Sequence, residues 1–317
     1  MNKVSSRSQR ITHDGKSGNS LWWRIKRYRS AYFFIIPTML LLLVFNYYPA
    51  LSAMYHSLTM WNGFTPPTFV GLENFIEVFT DPVMKKAFSN LILLAIWRVL
   101  LTLTVPLLVA ELIFAVKGEA AQHRYRLLFV IPLVVPRLVT YLLWQFIYEP
   151  NVGLLNSFFA ILGKEGWQRA WLGDPKIALY AFMFMGFPWV DGVAVLIYLA
   201  GLQAIPKDIY DAALIDGASI ISRFFRIDLP LIMGQIKLMV VLSIIGVLQG
   251  FEGQLVLTDG GPGYATTVPG LEMYKQSMEY NRMGFGCAVG VTLFTAILVL
   301  TILNNKYLHS DVEYSGT

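Results

Sequence analysis

The strongest constraint on this chain is a series of apolar runs long enough to cross a lipid bilayer. Residues 90–115 read NLILLAIWRVLLTLTVPLLVAELIFA, a run of 26 residues with two charges. A helix needs about 20 predominantly apolar residues to span the hydrocarbon core. Six segments reach that length, at about 31–54, 90–115, 126–148, 177–202, 236–257 and 284–304. Only 14% of the 317 residues are charged, against about 25% in a soluble domain. Mean hydropathy is +0.54. In lipid, every backbone polar group must be paired within the protein, so runs of this length are helices. The expected fold is an all-α integral membrane protein with six transmembrane helices. Pro37, Pro106, Pro132, Pro136 and Pro188 fall inside the runs. They are tolerated there where neighbouring groups satisfy the freed backbone.

Basic residues orient the spans. Residues 1–30 hold eight, against the single acid Asp14. Such a flank marks the cytoplasmic side, and an even number of spans returns the C-terminus to it. Beyond this tail the bias between loops is weak. The expected layout is a basic cytoplasmic tail at 1–29, a membrane domain at 30–305 with a cytoplasmic loop at 203–235, and a cytoplasmic tail at 306–317. Residues 1–53 have no small-residue cleavage site at the usual distance and read as a retained signal anchor.

Several chemistries are set aside. The lone Cys287 cannot form an intrachain disulfide. The histidines, at 13, 56, 123 and 309, are scattered, and no HExxH, GxSxG or CxxC occurs. Gly15-Lys16-Ser17 resembles the end of a phosphate-binding loop, but position 10, where the first glycine should stand, is Arg10. Gly286-x-x-x-Gly290 reads as helix packing. No catalytic residue, metal site, bound cofactor or nucleic-acid partner is expected.

One polar patch stands out. Residues 208–230, DIYDAALIDGASIISRFFRIDLP, carry four aspartates and two arginines between two apolar runs. Asp208 can cap a short helix. Gly217 can form a bend, and Ile220, Ile221, Phe224 and Phe225 have the spacing of a second amphipathic helix. Pro230 then leads into the fifth span. Composition leaves two readings open: a docking element for another protein, or an interfacial loop with no partner.

The spacing Asp211-Ala212-Ala213-x3-Gly217-x9-Ile227-x-Leu229-Pro230 resembles the EAA signature of membrane subunits of bacterial binding-protein-dependent ABC importers, with Asp211 in place of the leading Glu. Leu199–Pro206, Gly71-Leu72-x-Asn74-Phe75 with Asp81-Pro82, and Leu257–Pro262 resemble the maltose-type carbohydrate branch. The resemblance implies a type I importer permease fold in the bacterial cytoplasmic membrane. It also implies a coupling helix that docks on a separate ATPase: Asp211 makes a polar contact, Ala212 and Ala213 allow close docking, and Gly217 bends the chain. The implied partners are a second permease subunit, two ATP-binding cassette subunits that bind ATP and Mg, an extracellular solute-binding protein and a carbohydrate moved by alternating access. The chain itself is then a transport subunit and not an enzyme.

Polar groups inside spans are costly and mark pathways or buried pairs. They are Arg98, Glu111, Arg137, Gln145, Asp191, Gln249 and Glu252. The fifth run is also interrupted by Gly246, Gly250 and Gly253, a feature of transport sites. Gln249, Phe251 and Glu252, with Trp189 and Asp191, offer the hydrogen-bonding and aromatic mixture that a sugar needs. Arg98 and Arg137 have two readings. Either they pair with Asp191 or Glu252 as structural ion pairs, or they receive an anionic sugar such as a uronate oligomer. Alternatives in function are a permease for a polyol or glycerol phosphate, or an ion-driven secondary transporter. The last would show an internal inverted repeat, and none stands out.

Overall fold

The computed structural model describes residues 28–307. The basic residues before Arg29, the Gly15–Ser17 stretch and residues 308–317 lie outside them. The chain divides into two compact units, Met1–Ser52 and Ala53–Thr317. The described part of the first is a single apolar helical run. α1 (Arg29–Leu42) passes through a π-helical turn at Leu43–Tyr47 into α2 (Tyr48–His56), with Pro37 accommodated inside α1.

The second unit begins with the last residues of α2, followed by a small antiparallel hairpin, β1 (Thr59–Met60) and β2 (Thr68–Phe69), paired Thr59 to Phe69 and Met60 to Thr68. α3 (Glu73–Thr80) follows, and buried Asn74 pins it to the chain before and within β1. Asn74 Nδ2 donates to the carbonyls of Ser57 and Thr59, each at 2.9 Å. Asp81 then caps α4 (Pro82–Ala115), accepting from the Met84 amide at 2.8 Å with Pro82 in the first turn. α4 therefore begins eight residues before the expected apolar run. At 34 residues it is about 51 Å long.

The two apolar clusters lie along α4. Leu107, Ala110 and Ile113 pack with Ala194, Tyr198, Leu202, Ile232, Ile236 and Met239. Nearer the start of α4, Met84 and Leu91 pack with Val78, Leu248, Phe285, Ala288 and Val289. The helices that contribute are α3, α9 (Gly192–Ala204), α13 (Met233–Gln249) and α16 (Met283–Tyr307). Two buried polar contacts tie α4 to its neighbours. Ser243 Oγ donates to Thr102 Oγ1 at 3.0 Å, and the Tyr198 hydroxyl donates to the Thr102 carbonyl at 3.1 Å.

Among the described residues, three helical runs are each long and apolar enough to cross a membrane: Tyr32–His56, α4 and α16. Three bent pairs pass the same length-and-composition test when their halves are taken together, for up to six spans if each pair is counted as one. They are α5 (Glu119–Val130, with its 3-10 extension Ile131–Val134) and α6 (Arg137–Ile147), at 87°; α9 and α10 (Lys207–Ile215), at 72°; and Ile220–Leu231 with α13, at 69°.

Three expected spans are not continuous helices: 126–148 bends at Val135 and Pro136 between α5 and α6, and two more are divided. The run 177–202 is divided: α8 (Ala178–Phe184) ends, and Met185–Asp191 is irregular before α9 begins. Gly186 at φ +86 and Pro188, which lacks an N–H, end the helix there. The run 236–257 breaks at Gly250 and Phe251, between α13 and α14 (Glu252–Thr258). Apolar composition hides such breaks, because it reports burial in lipid and not helical continuity.

Beyond α14 the chain Asp259–Val268 folds on itself before α15 (Pro269–Tyr274). Buried Thr267 bonds the Gly260 carbonyl at 3.0 Å, and buried Asn90 of α4 bonds the carbonyls of Tyr264 and Thr267 at 3.2 and 2.8 Å.

Candidate functional site

The polar patch folds as a helix, a tight bend and a second helix. α10 ends in a Schellman motif. The Ala218 amide donates to the Ala213 carbonyl at 2.9 Å, and the Gly217 amide donates to the Leu214 carbonyl at 3.1 Å. Such a cap needs a left-handed residue, and Gly217 supplies it at φ +70. A Cβ at Gly217 would meet nothing within 4 Å, so the demand is conformational and not steric. Ser219 then caps α11 (Ile220–Arg223), accepting from the Ser222 amide at 3.2 Å. The chain continues through a π-helical turn, Phe224–Asp228, into α12 (Leu229–Leu231).

Two expectations are corrected here. Pro206 holds the N-cap position of α10, and Asp208 sits inside the first turn, where its charge favours the helix dipole without a cap bond. Ala213, expected on the docking face, is buried and packs inward. Asp211, Ala212, Gly217 and Pro230 are exposed, while Ile227 and Leu229 are half-buried. The exposed surface of the bend is apolar: Leu214, Ile215, Ile220 and Ile221 each leave more than 70% of their area uncovered.

A charge cluster behind the bend was not foreseen. Arg223 Nε donates to Asp228 Oδ2 at 2.9 Å, and Arg223 Nη2 donates to Glu111 Oε2 of α4 at 3.4 Å. Asp228 is fully buried. The Arg223 guanidinium lies 5.5 Å from the centre of the Tyr210 ring, and Phe114 of α4 packs on that ring at 5.4 Å. Burial, and after it the Asp228 carboxylate, push the Tyr210 hydroxyl far above the usual phenol range, so it stays neutral. The cluster ties α10, α11 and the entry to α13 onto α4. Its sequence signal was Asp228 itself, a carboxylate set between Ile227 and Leu229.

The second candidate is a pair of adjoining cavities among α4, α6, α9, α13 and α14. One, of about 240 Å³, is lined by Trp97, Arg98, Arg137, Tyr141, Trp189, Phe251, Glu252 and Gln254 among others. The other, of about 460 Å³, is lined by Arg98, Arg137, Thr140, Asp191 and Ser243 among others. The Met183 carbonyl orients both indoles, accepting from Trp97 Nε1 at 2.8 Å and Trp189 Nε1 at 3.1 Å. The two rings meet edge to face at 5.6 Å. Asp191 is doubly engaged. Oδ1 accepts from the amides of Val193 and Ala194 and so caps α9, and Oδ2 accepts from Arg98 Nη2 at 2.7 Å.

The structure thus gathers Trp189, Phe251, Glu252, Arg98 and Arg137 around one cavity and Asp191 beside it. It realises the ion-pair reading for Arg98. Gln249, the last residue of α13, is exposed and lines neither cavity. Gln254 is the amide that faces the space, with Trp97 and Tyr141, none of them singled out by sequence. Gly192 fixes how closely α9 approaches α5: a Cβ there would collide with the Phe129 carbonyl oxygen. Gly192→Ala is expected to cost about 1–3 kcal/mol through overpacking. Thermal unfolding of the purified protein checks this, and an unchanged midpoint would contradict it.

A multi-pass helical membrane protein with a bent, apolar-faced loop and a polar cavity between its spans is the transport class. The chain belongs to the family described as "Binding-protein-dependent transport system inner membrane component", whose profile matches residues 103–312. It is 32% identical over 283 residues to the probable ABC transporter permease YurN of Bacillus subtilis, covering 89% of this chain and 97% of that protein. It is 32% identical over 287 residues to the trehalose/maltose transport system permease MalF of Thermococcus litoralis, covering 89% and 95%. In fold it matches a chain of a bacterial ABC transporter involved in import of the acidic polysaccharide alginate. That match has a TM-score of 0.80 and 23% identity, over 92% of this chain and 99% of the other. The chain has the importer permease fold and is a transport subunit rather than an enzyme.

Proposed function

We propose that this chain is one membrane subunit of an ATP-driven, binding-protein-dependent carbohydrate importer of the bacterial cytoplasmic membrane, working by alternating access. The observation that carries the reading is the glycine-capped bend at Gly217. It presents an apolar helical face beside Asp211 while its inner side is bonded to α4. On this reading both termini and the 207–230 loop face the cytoplasm, and the loop docks on one of two ATPase subunits that bind ATP and Mg. A second permease subunit completes the pathway, and an extracellular solute-binding protein delivers the substrate. Asp211 and Ala212 meet the ATPase, Gly217 sets the bend, and Ala213 serves packing within the chain.

The carbohydrate assignment rests on the cavity, where Trp97, Trp189, Tyr141 and Phe251 offer faces for sugar rings beside charged and amide groups. The trehalose/maltose relative supports the same class. Uptake by the complete complex in proteoliposomes tests it. Trp189→Ala is expected to lower uptake about tenfold, the equivalent of losing one aromatic contact of ~1–1.5 kcal/mol. Trp189→Phe should keep most of it. Equal uptake by the wild type and Trp189→Ala would remove this cavity from the pathway.

A further inference from the structure

We propose that Glu111 is the positioning residue that carries movement of the 207–230 loop to the cavity, with Arg223 exchanging hydrogen bonds between Asp228 and Glu111 as the loop moves; this rests on the coupling role proposed above. Three parts of the chain meet at Arg223. Its guanidinium lies over the Tyr210 ring of α10, bonds Asp228 at the far end of the π-helical turn that follows it, and reaches Glu111 on α4. The two bonds are unequal. Nε to Asp228 Oδ2 is 2.9 Å, whereas Nη2 to Glu111 Oε2 is 3.4 Å, near the limit of a hydrogen bond. The short bond joins the two ends of one turn. The long one is, among the described residues, the one ion pair between the loop and α4, and it has room to tighten.

The cluster holds the means for a second arrangement. Arg223 spends Nε and one terminal N–H on these carboxylates, and a guanidinium has further donors. Glu111 Oε1 and Asp228 Oδ1 are both buried and accept no hydrogen bond from the described residues. A buried acceptor left so is costly, and two of them beside one arginine mark an arrangement with a close competitor. Two carboxylates also share one cation, so each gains what the other gives up. The backbone between Arg223 and Asp228 is the π-helical turn Phe224–Asp228, a type of irregular turn frequent at functional sites.

α4 supplies the reach. It is unbroken from Pro82 to Ala115, through Pro106. Glu111 lies about 20 Å along it from Arg98. Trp97 and Arg98 line the cavity, and Arg98 bonds Asp191, which caps α9. One continuous helix therefore carries an ion pair to the loop at Glu111 and an ion pair to the cavity wall at Arg98. A change in the hold of Arg223 on Glu111 is felt by the helix that shapes the cavity.

The test is a double-mutant cycle on binding-protein-stimulated ATP hydrolysis by the complete complex in proteoliposomes, with thermal unfolding of each variant. Glu111→Gln keeps the shape of the side chain and removes its charge. It should lower stimulation about tenfold, the loss of one charge-assisted contact, while basal hydrolysis and the unfolding midpoint stay at wild-type values. Arg223→Lys keeps a cation for Asp228 and loses the planar fork that reaches both carboxylates. It should lower stimulation to the same degree, and the double variant should be no worse than either single one. Losses that multiply in the double variant overturn the exchange, because the two residues then act separately. So does full stimulation in Glu111→Gln, or a loss that follows a lowered midpoint and basal rate, as a merely structural contact would give. Each of these leaves the coupling role of the loop in place. No stimulation in the wild type overturns that role as well.

Discussion

Asp228→Ala is expected to destabilise the folded protein by about 3–5 kcal/mol, among the largest effects of any single substitution outside the apolar core. Asp228 is fully buried and bonds Arg223 Nε at 2.9 Å. Removing it leaves the guanidinium with Glu111 at 3.4 Å as its one remaining ion-pair partner. The cost is that of stranding a charge out of water, not the net worth of the pair. This distinction gives a second expectation: the double variant Arg223→Met with Asp228→Leu should recover part of the loss, because its apolar pair needs no compensation and only the Glu111 carboxylate is left without its cation. Thermal unfolding in detergent measures both. A midpoint unchanged in Asp228→Ala, or lowered further in the double variant, would contradict the role of the cluster.

Gly217→Pro is expected to lower transport-linked ATP hydrolysis at least tenfold while leaving the fold of the spans intact. Proline is fixed near φ −65°, whereas Gly217 stands at φ +70, and proline lacks the amide that bonds the Leu214 carbonyl. Both demands of the Schellman cap fail together. Gly217→Asn should be mild, because Asn enters the left-handed region at small cost. Gly217→Val should resemble Pro, since a β-branched residue there is strained even with open space around it. The graded series separates bend geometry from side-chain bulk.

The fold class was legible because lipid imposes one strong rule, and runs such as 90–115 and 284–304 obey it. The interruptions were harder to see. The chain between α8 and α9 is apolar on both sides of its break, and hydropathy is blind to a turn that is itself lined with Phe187 and Trp189. The bend at Gly217 could be read from glycine in a fixed spacing, since a left-handed cap is a local property of the chain. The direction in which Ala213 faces could not, because it depends on where α10 lies against α4. For the same reason the Glu111–Arg223–Asp228 cluster was invisible: Glu111 and Arg223 are 112 positions apart. In the cavity, aromatic and charged types were recognisable, but the partner of each was not. Arg98 and Arg137 look alike in sequence, and only the position of Asp191 tells the paired arginine from the free one.

The central claim is that residues 207–230 pass ATPase motion to the spans. It is tested most directly by ATP hydrolysis of the reconstituted complex with and without substrate-loaded binding protein, comparing wild type, Gly217→Asn and Gly217→Pro. The expected result is strong stimulation in the wild type, most of it kept in Gly217→Asn, and basal hydrolysis without stimulation in Gly217→Pro. Full stimulation in an assembled Gly217→Pro complex would contradict it.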